Sequence, residues 1–281
     1  MISKNGISVV VITYNEEKKI ERCLRSLSSW TDEIVVVDSF STDRTVDLCR
    51  KYGARVYQHA WPNDYSLQRN RAISYAQNDW VLSLDADEVV TKSLRDEILA
   101  LLANGPEADA YGIPRQEFFS GRWLASDHFS PQYKVIFYRK SLGTWEYALH
   151  ERFITRGTTK YLNSPILHDG IGDFQIFIHK INAASSLEAE RDVKNDHKKF
   201  NMIRLFSKPV ERFYGRFIRH HGYKDGIHGL FLACAVALTY FLREFKIYEM
   251  NYVAKKQNEE WNKRYREMAV DSDIDRDSMQ N

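Results

Sequence analysis

The chain has 281 residues, with 40 Lys and Arg against 38 Asp and Glu, a formal net charge of +2. At 43% hydrophobic and 28% charged it can build a packed core, which excludes wholesale disorder. The near-neutral balance argues against a protein that wraps a nucleic-acid duplex, so no nucleic-acid partner is expected.

Residues 7–13 (ISVVVIT) form a continuous apolar, β-branched run, the pattern of a strand buried on both faces in a parallel sheet. Residues 16–27 read as a helix with Ile20, Cys23, Leu24 and Leu27 on one face. Residues 33–38 (EIVVVD) are a second buried strand, and 42–52 a second helix that Ser41 or Thr42 can cap. A short strand at 55–58, a helix at 65–76, a buried strand at 80–85 (WVLSLD) and a helix at 93–102 follow. This alternation predicts βαβ units: an α/β fold with a mostly parallel sheet flanked by helices. Such sheets bind ligands beyond the carboxyl ends of their strands, and two strands here end in Asp38 and Asp85.

From 110 to 168, short strand-like pieces and aromatics predict a mixed-sheet extension, followed by a helix at 174–192. Residues 204–250 differ. Arg212, Arg216 and Arg219 recur at helical spacing opposite Val210, Phe213, Tyr214, Phe217 and Ile218, and an uncharged run of 14 residues occupies 229–242. The expected division is a catalytic domain over 1–203 and a helical C-terminal region over 204–281, with a polar, disordered tail after Ala269. Cys23, Cys49 and Cys234 lack metal-ligand spacing and read as free thiols of a reducing compartment. Residues 1–6 show no signal-peptide pattern, so the catalytic part is expected in the cytoplasm.

Asp85-Ala86-Asp87-Glu88 ends a buried strand. Carboxylates at i and i+2 there can turn toward one point and hold a hard divalent cation, with a nucleotide diphosphate supplying further oxygens. Asp38, at the end of its own strand, can accept from a base N–H or a ribose hydroxyl, whereas Asp43 reads as a helix flank.

Four segments in this order, VVVITYNEEKKIERCLRSL, EIVVVDSFSTDRT, SLQRNRAI and WVLSLDADE, resemble glycosyltransferase family 2. Within it they resemble the branch of lipopolysaccharide core β-1,4-glucosyltransferases that act on inner-core heptose. The resemblance implies a GT-A, Rossmann-like fold, an inverting reaction and a divalent metal, Mg or Mn. It implies that Tyr14 and Glu16 contact the nucleotide, Asp38 the base or ribose, Asp85 the nucleoside, and Asp87 the metal. Arg69 and Asn70 fall in a segment that lies near the donor in the family. Many members carry a second acid after the strand-end Asp; this chain has Ser39. The family branch also has a hydrophobic-His-Glu motif downstream, resembled by Leu149-His150-Glu151. An inverting transferase needs one base for the acceptor hydroxyl, and Glu151 is the candidate, with Glu117 and Asp127 as rivals. His150 is the candidate to complete the metal site or bind phosphate; His168-Asp169 is a further candidate for the base.

The C-terminal region has two readings: helices packed on the core, or an interfacial anchor with arginines toward anionic headgroups and Phe213, Phe217 and Ile218 in the acyl boundary. Fourteen residues are too few to span a bilayer, which takes about 20. The family context favours membrane association. The expected protein is therefore a metal-dependent transferase using a nucleotide sugar, UDP-glucose, and a lipid-linked or lipopolysaccharide acceptor. It would be peripheral on the cytoplasmic face of the inner membrane. The alternatives are a polyprenyl-phosphate or protein acceptor, or a non-catalytic nucleotide-sugar or lipid-binding module.

Overall fold

A computed structural model describes residues 6–126, 132–148, 151–253, 256, 259–261, 263 and 264. Contacts divide the chain into two compact units, Met1–Gly172 and Asp173–Asn281. The sequence reading places the boundary at 203; the helix it assigned to the first unit groups with the second.

In the first unit the chain runs β1 (Ile7–Thr13), α1 (Ile20–Arg25), β2 (Glu33–Asp38), α2 (Thr45–Lys51), β3 (Arg55–Gln58), α3 (Tyr65–Ser74) and β4 (Trp80–Asp85). It continues β5 (Glu88–Val90), α4 (Lys92–Asn104), β6 (Ala110–Phe119), β7 (Arg122–Trp123), β8 (Gln132–Arg139), β9 (Gly143–Glu146), β10 (Arg152–Thr155), β11 (Thr159–Tyr161) and β12 (Ile166–Gly172). The main sheet has the order β3-β2-β1-β4-β8-β6-β12-β5. Its first four strands are mutually parallel, and β8 then runs antiparallel to both β4 and β6. This is the α/β, Rossmann-like arrangement expected from the alternation. The chain winds outward from β1 to β3 and returns to place β4 on β1's other side, which opens a crevice at the strands' carboxyl ends. The apolar runs sit where their composition demands: Val9, Val11, Val35, Val36, Val37, Leu82 and Leu84 are buried in one core.

Two helices begin later than the sequence suggests. Residues 14–19 are a turn rather than the first part of α1. Asn15 takes a left-handed conformation (φ 53°), which asparagine tolerates better than most residues. Backbone N–H groups of Asn15, Glu16 and Glu17 donate to Ser41 Oγ, Thr45 Oγ1 and Asp43 Oδ2 at 2.8, 2.8 and 3.1 Å. The Thr42 N–H donates back to Asn15 Oδ1 at 2.8 Å. The 38–43 turn is thereby clasped to the 14–17 turn, and Ser41 and Thr42 are not helix caps. Asp43 does the work at the start of α2, accepting from the Thr45 N–H at 2.9 Å.

The second unit contains α5 (Phe174–Lys194), α6 (Met202–Tyr214) and α7 (Gly226–Tyr248). The 14-residue apolar run lies within a longer helix because the charges beyond it are paired. Arg243 binds Asp192 and Glu188 of α5, and Glu244 binds Arg204 of α6. The helical stretch Gly222–Val253 is long and apolar enough to cross a membrane by length and composition, with 33% of its apolar window buried.

Candidate active site

A cavity of about 800 Å³ opens over the carboxyl ends of β1 and β4, and Tyr14, Glu16, Arg69, Asp85, Asp87 and Glu151 are among the residues that line it. Arg69, on α3, is 2% exposed and organises the floor. Its Nη2 pairs with Asp85 Oδ1. Its Nε and Nη2 donate to Glu151 Oε1 at 3.1 and 3.0 Å, and its Nη1 donates to Ser83 Oγ at 3.2 Å. The guanidinium also packs 4.7 Å from the Trp145 ring centroid. From β8, Lys134 Nζ reaches Glu151 Oε1 at 3.2 Å and Asp85 Oδ2 at 3.7 Å. Two carboxylates thus share two cations. Burial works to raise both acids, but Arg69 and Lys134 outweigh it: Asp85 is held well below the usual carboxylate range and Glu151 below it.

Glu151 owes its place to a pinned hairpin. β9 and β10 pair from Gly143–Thr155 to Glu146–Arg152. Trp145 donates from Nε1 to Tyr138 Oη at 2.8 Å, and Phe153 stacks on Tyr138 at 3.6 Å between centroids. Asn70 contributes here and not in the cavity. Its amide accepts from the Trp145 N–H at 3.0 Å and donates to the Trp145 carbonyl at 2.9 Å, fastening α3 to the hairpin. Asparagine has the donor and acceptor needed to satisfy both backbone groups.

Asp38 lies beneath the rim, fully buried. Its carboxylate accepts from the Ser41 N–H at 2.9 Å, from Ser41 Oγ, and from Gln58 Nε2 at 3.1 Å. These donors occupy the side chain because the 38–41 turn folds back over it. Ser39, the next residue, lines the cavity.

At the other end, Asp85, Asp87 and His168 each offer one ligand atom, all within 4.8 Å of one another. His168 stands on β12 with Nε2 3.4 Å from Asp87 Oδ1 and Nδ1 2.5 Å from Glu117 Oε2. Burial pulls the imidazole down, but hydrogen bonds to Asp87 and Glu117 lift it to about 10, so a cation binding at Nε2 has to displace that proton. A Cβ at Gly170 would sit 2.0 Å from His168 Cε1, so glycine leaves room for the ring. Two carboxylates and an imidazole form a donor set suited to Mg or Mn, facing a cavity that can supply further oxygens from a ligand. Glu88 shapes the turn between the two acids: it is 1% exposed, and its Oε2 accepts from the Asp85 N–H at 2.8 Å.

His150 and the rival base Asp127 lie outside the described residues. Among those described, the histidine beside the two aspartates is His168. Glu117, the other rival base, is 4% exposed and bound to His168 and to Arg115 Nε (2.8 Å), so it supports the site from behind. The sequence reading missed Lys134 as part of the site. A lone lysine in a strand of mixed pattern carries no local signal.

A parallel strand-end acid pair, a paired candidate base and an open crevice between them define a GT-A transferase. Residues 8–183 match the model for Glycosyl transferase family 2, and the chain belongs to that family, with a glycosyltransferase's role. It is 31% identical to an uncharacterized glycosyltransferase of Rickettsia typhi over 87% of each chain. It is 27% identical to the lipopolysaccharide core biosynthesis glycosyltransferase LpsC of Rhizobium meliloti, over 92% of this chain and 97% of that one. Among solved structures it is similar to S. aureus TarS 1–349 in complex with UDP-GlcNAc. There the TM-score is 0.44 and the identity 18%, over 86% of this chain and 84% of that one.

Proposed function

We propose that the chain is an inverting, metal-dependent transferase that moves glucose from UDP-glucose to a heptose of the lipopolysaccharide inner core. The observation that carries the chemistry is the Asp85, Asp87 and His168 cluster on the same cavity as Glu151. The lipopolysaccharide core role of LpsC, similar over nearly the whole of both chains, supports the acceptor class. Tyr14, Glu16 and Ser39 would meet the nucleoside, with Asp38 holding the turn that presents Ser39. Asp87 and His168, with Asp85 beside them, would hold Mg or Mn, which when bound stabilises charge on the leaving diphosphate.

In this reading Glu151 takes the proton of the acceptor hydroxyl as that oxygen bonds to the anomeric carbon and the bond from that carbon to the diphosphate breaks. The nucleoside diphosphate leaves on the opposite face, which inverts the centre. Arg69 and Lys134 keep Glu151 ionised at neutral pH and orient it. We place the enzyme in the cytoplasm, on the cytoplasmic face of the inner membrane, against an anionic surface where a lipid-linked acceptor resides. The free thiols of Cys23, Cys49 and Cys234 agree with a reducing compartment. The test is incubation with a panel of nucleotide sugars, reading released nucleotide with and without a chelator. UDP-glucose should lead, and the chelator should abolish turnover. A different preferred donor overturns the sugar assignment, and full activity in chelator overturns the metal.

A further inference from the structure

α6 is inside out. A helix on the surface of a globular protein turns its apolar stripe to the core and its charges to water. Here Ile203, Phe206, Val210 and Tyr214 fall within roughly 80° of the helix circumference at 100° per residue, and all four are exposed, Ile203 by 77% and Val210 by 69%. Ile218 extends the stripe through the π-helical turn Gly215–Arg219. Leu205, the helix's buried residue, lies on the opposite face. Arg212 and Arg216 share that face by helical phase. Arg212 sits 4.5 Å from the ring centroid of Tyr240 on α7, and desolvation lowers the Arg216 guanidinium to about 10. The sequence reading expected Arg212, Arg216 and Arg219 to face lipid headgroups; Arg216 is half-buried, whereas Arg212 and Arg219 are exposed.

The charge around this stripe says what covers it. Between residues 198 and 228 there are eight Lys and Arg against two acids, although Lys198 and Arg204 are paired with Asp192 and Glu244 from outside that stretch. Lys199, Arg219 and Lys224 are exposed. An apolar strip of aromatic and β-branched residues set in positive charge matches the boundary of an anionic bilayer, where apolar groups enter the acyl region and basic ones meet phosphate. α7 is tied by polar partners to both α6 and α5. Its Glu244 binds Arg204 at 2.9 Å, and its Arg243 binds Asp192 and Glu188.

We propose that α6 lies flat in the surface of an anionic membrane, with Ile203, Phe206, Val210 and Tyr214 in the acyl boundary and α7 backing it rather than crossing. This rests on the surface-attachment part of the proposed function and names the element responsible.

The experiment is flotation of the full chain with phosphatidylcholine vesicles, with and without phosphatidylglycerol, at low salt. A companion variant carries Phe206→Ser and Val210→Ser, and its UDP affinity and circular dichroism report whether it is folded. Wild type should float with the anionic vesicles and be released by salt, and the folded variant should lose roughly tenfold or more of its partition. Equal flotation of both overturns α6 as the docking element while leaving surface attachment standing. A wild type that stays with the soluble fraction overturns both. A wild-type dimer on sedimentation that the double substitution makes monomeric assigns the stripe to a second copy instead. Resistance to alkaline carbonate extraction overturns the flat orientation in favour of a spanning α7. Should the double variant fail to fold, Val210→Ser alone is read in the same way.

Discussion

Nδ1 of His168 lies 2.5 Å from Oε2 of Glu117, its direct partner on the neighbouring parallel strand. A carboxylate behind a ligating imidazole fixes the ring and its tautomer and strengthens the nitrogen that faces the metal. Register alone delivers the pair: β12 and β6 align these two positions across 51 residues of sequence.

Glu117→Gln should therefore weaken divalent-metal binding. The amide keeps an acceptor for the ring N–H and loses the charge, so a loss of roughly tenfold in Mn affinity is expected. Titration calorimetry with Mn in the presence of UDP reads it. Unchanged affinity would remove Glu117 from any role in the metal site.

Glu151→Gln should lower kcat by about 10²–10⁴ and leave the donor Kd within a few-fold, because the amide cannot take a proton. Steady-state kinetics beside UDP-glucose calorimetry separates the two. Turnover within a few-fold of wild type would make Glu151 a structural partner of Arg69 and shift attention to Asp127.

Arg69 gives a prediction about stability rather than about contact with the donor. At 2% exposure it neutralises Asp85 and Glu151 together. Arg69→Met should leave Asp85 and Glu151 with Lys134 as their remaining cation and cost about 3 kcal/mol. Thermal unfolding of the apo protein measures this with no donor present. A melting temperature close to wild type, with UDP affinity lost, would favour a phosphate ligand instead.

The parts of the site legible in the sequence are those that a single strand carries. Asp85 and Asp87 follow an apolar run whose pattern places them on the rim, and β1, β2 and β4 announce themselves in the same way. Lys134 and Glu117 were not legible as partners, because they arrive from β8 and β6 through antiparallel and parallel pairings that no local window contains. Asn70 is in the right segment, yet a 3.6-residue period does not say that its amide meets the Trp145 backbone. α6 shows the same limit: periodicity separates its apolar and basic faces but not which one meets the protein.

The helical unit offers a test apart from catalysis. Asp192 on α5 has a side chain 1% exposed, and it binds Arg243 of α7 and Lys198. Burial raises its carboxyl, but hydrogen bonds from Arg243 and Lys198 outweigh that and hold it below the usual range. A depressed folded-state pKa means the pair's contribution is fully present above the unfolded value of about 3.9 and is lost as pH falls through the folded value. Asp192→Asn should cost about 3 kcal/mol at neutral pH, moderated because Glu188 still reaches Arg243 at 3.2 Å. The gap between variant and wild type should then narrow as the solution is made acid. Urea unfolding followed by far-ultraviolet circular dichroism at several pH values gives both quantities. A gap that stays constant from neutral pH down to about 3 would mean that Asp192 is not ionised in the folded chain, and the ion pair joining α5 to α7 would have to be abandoned.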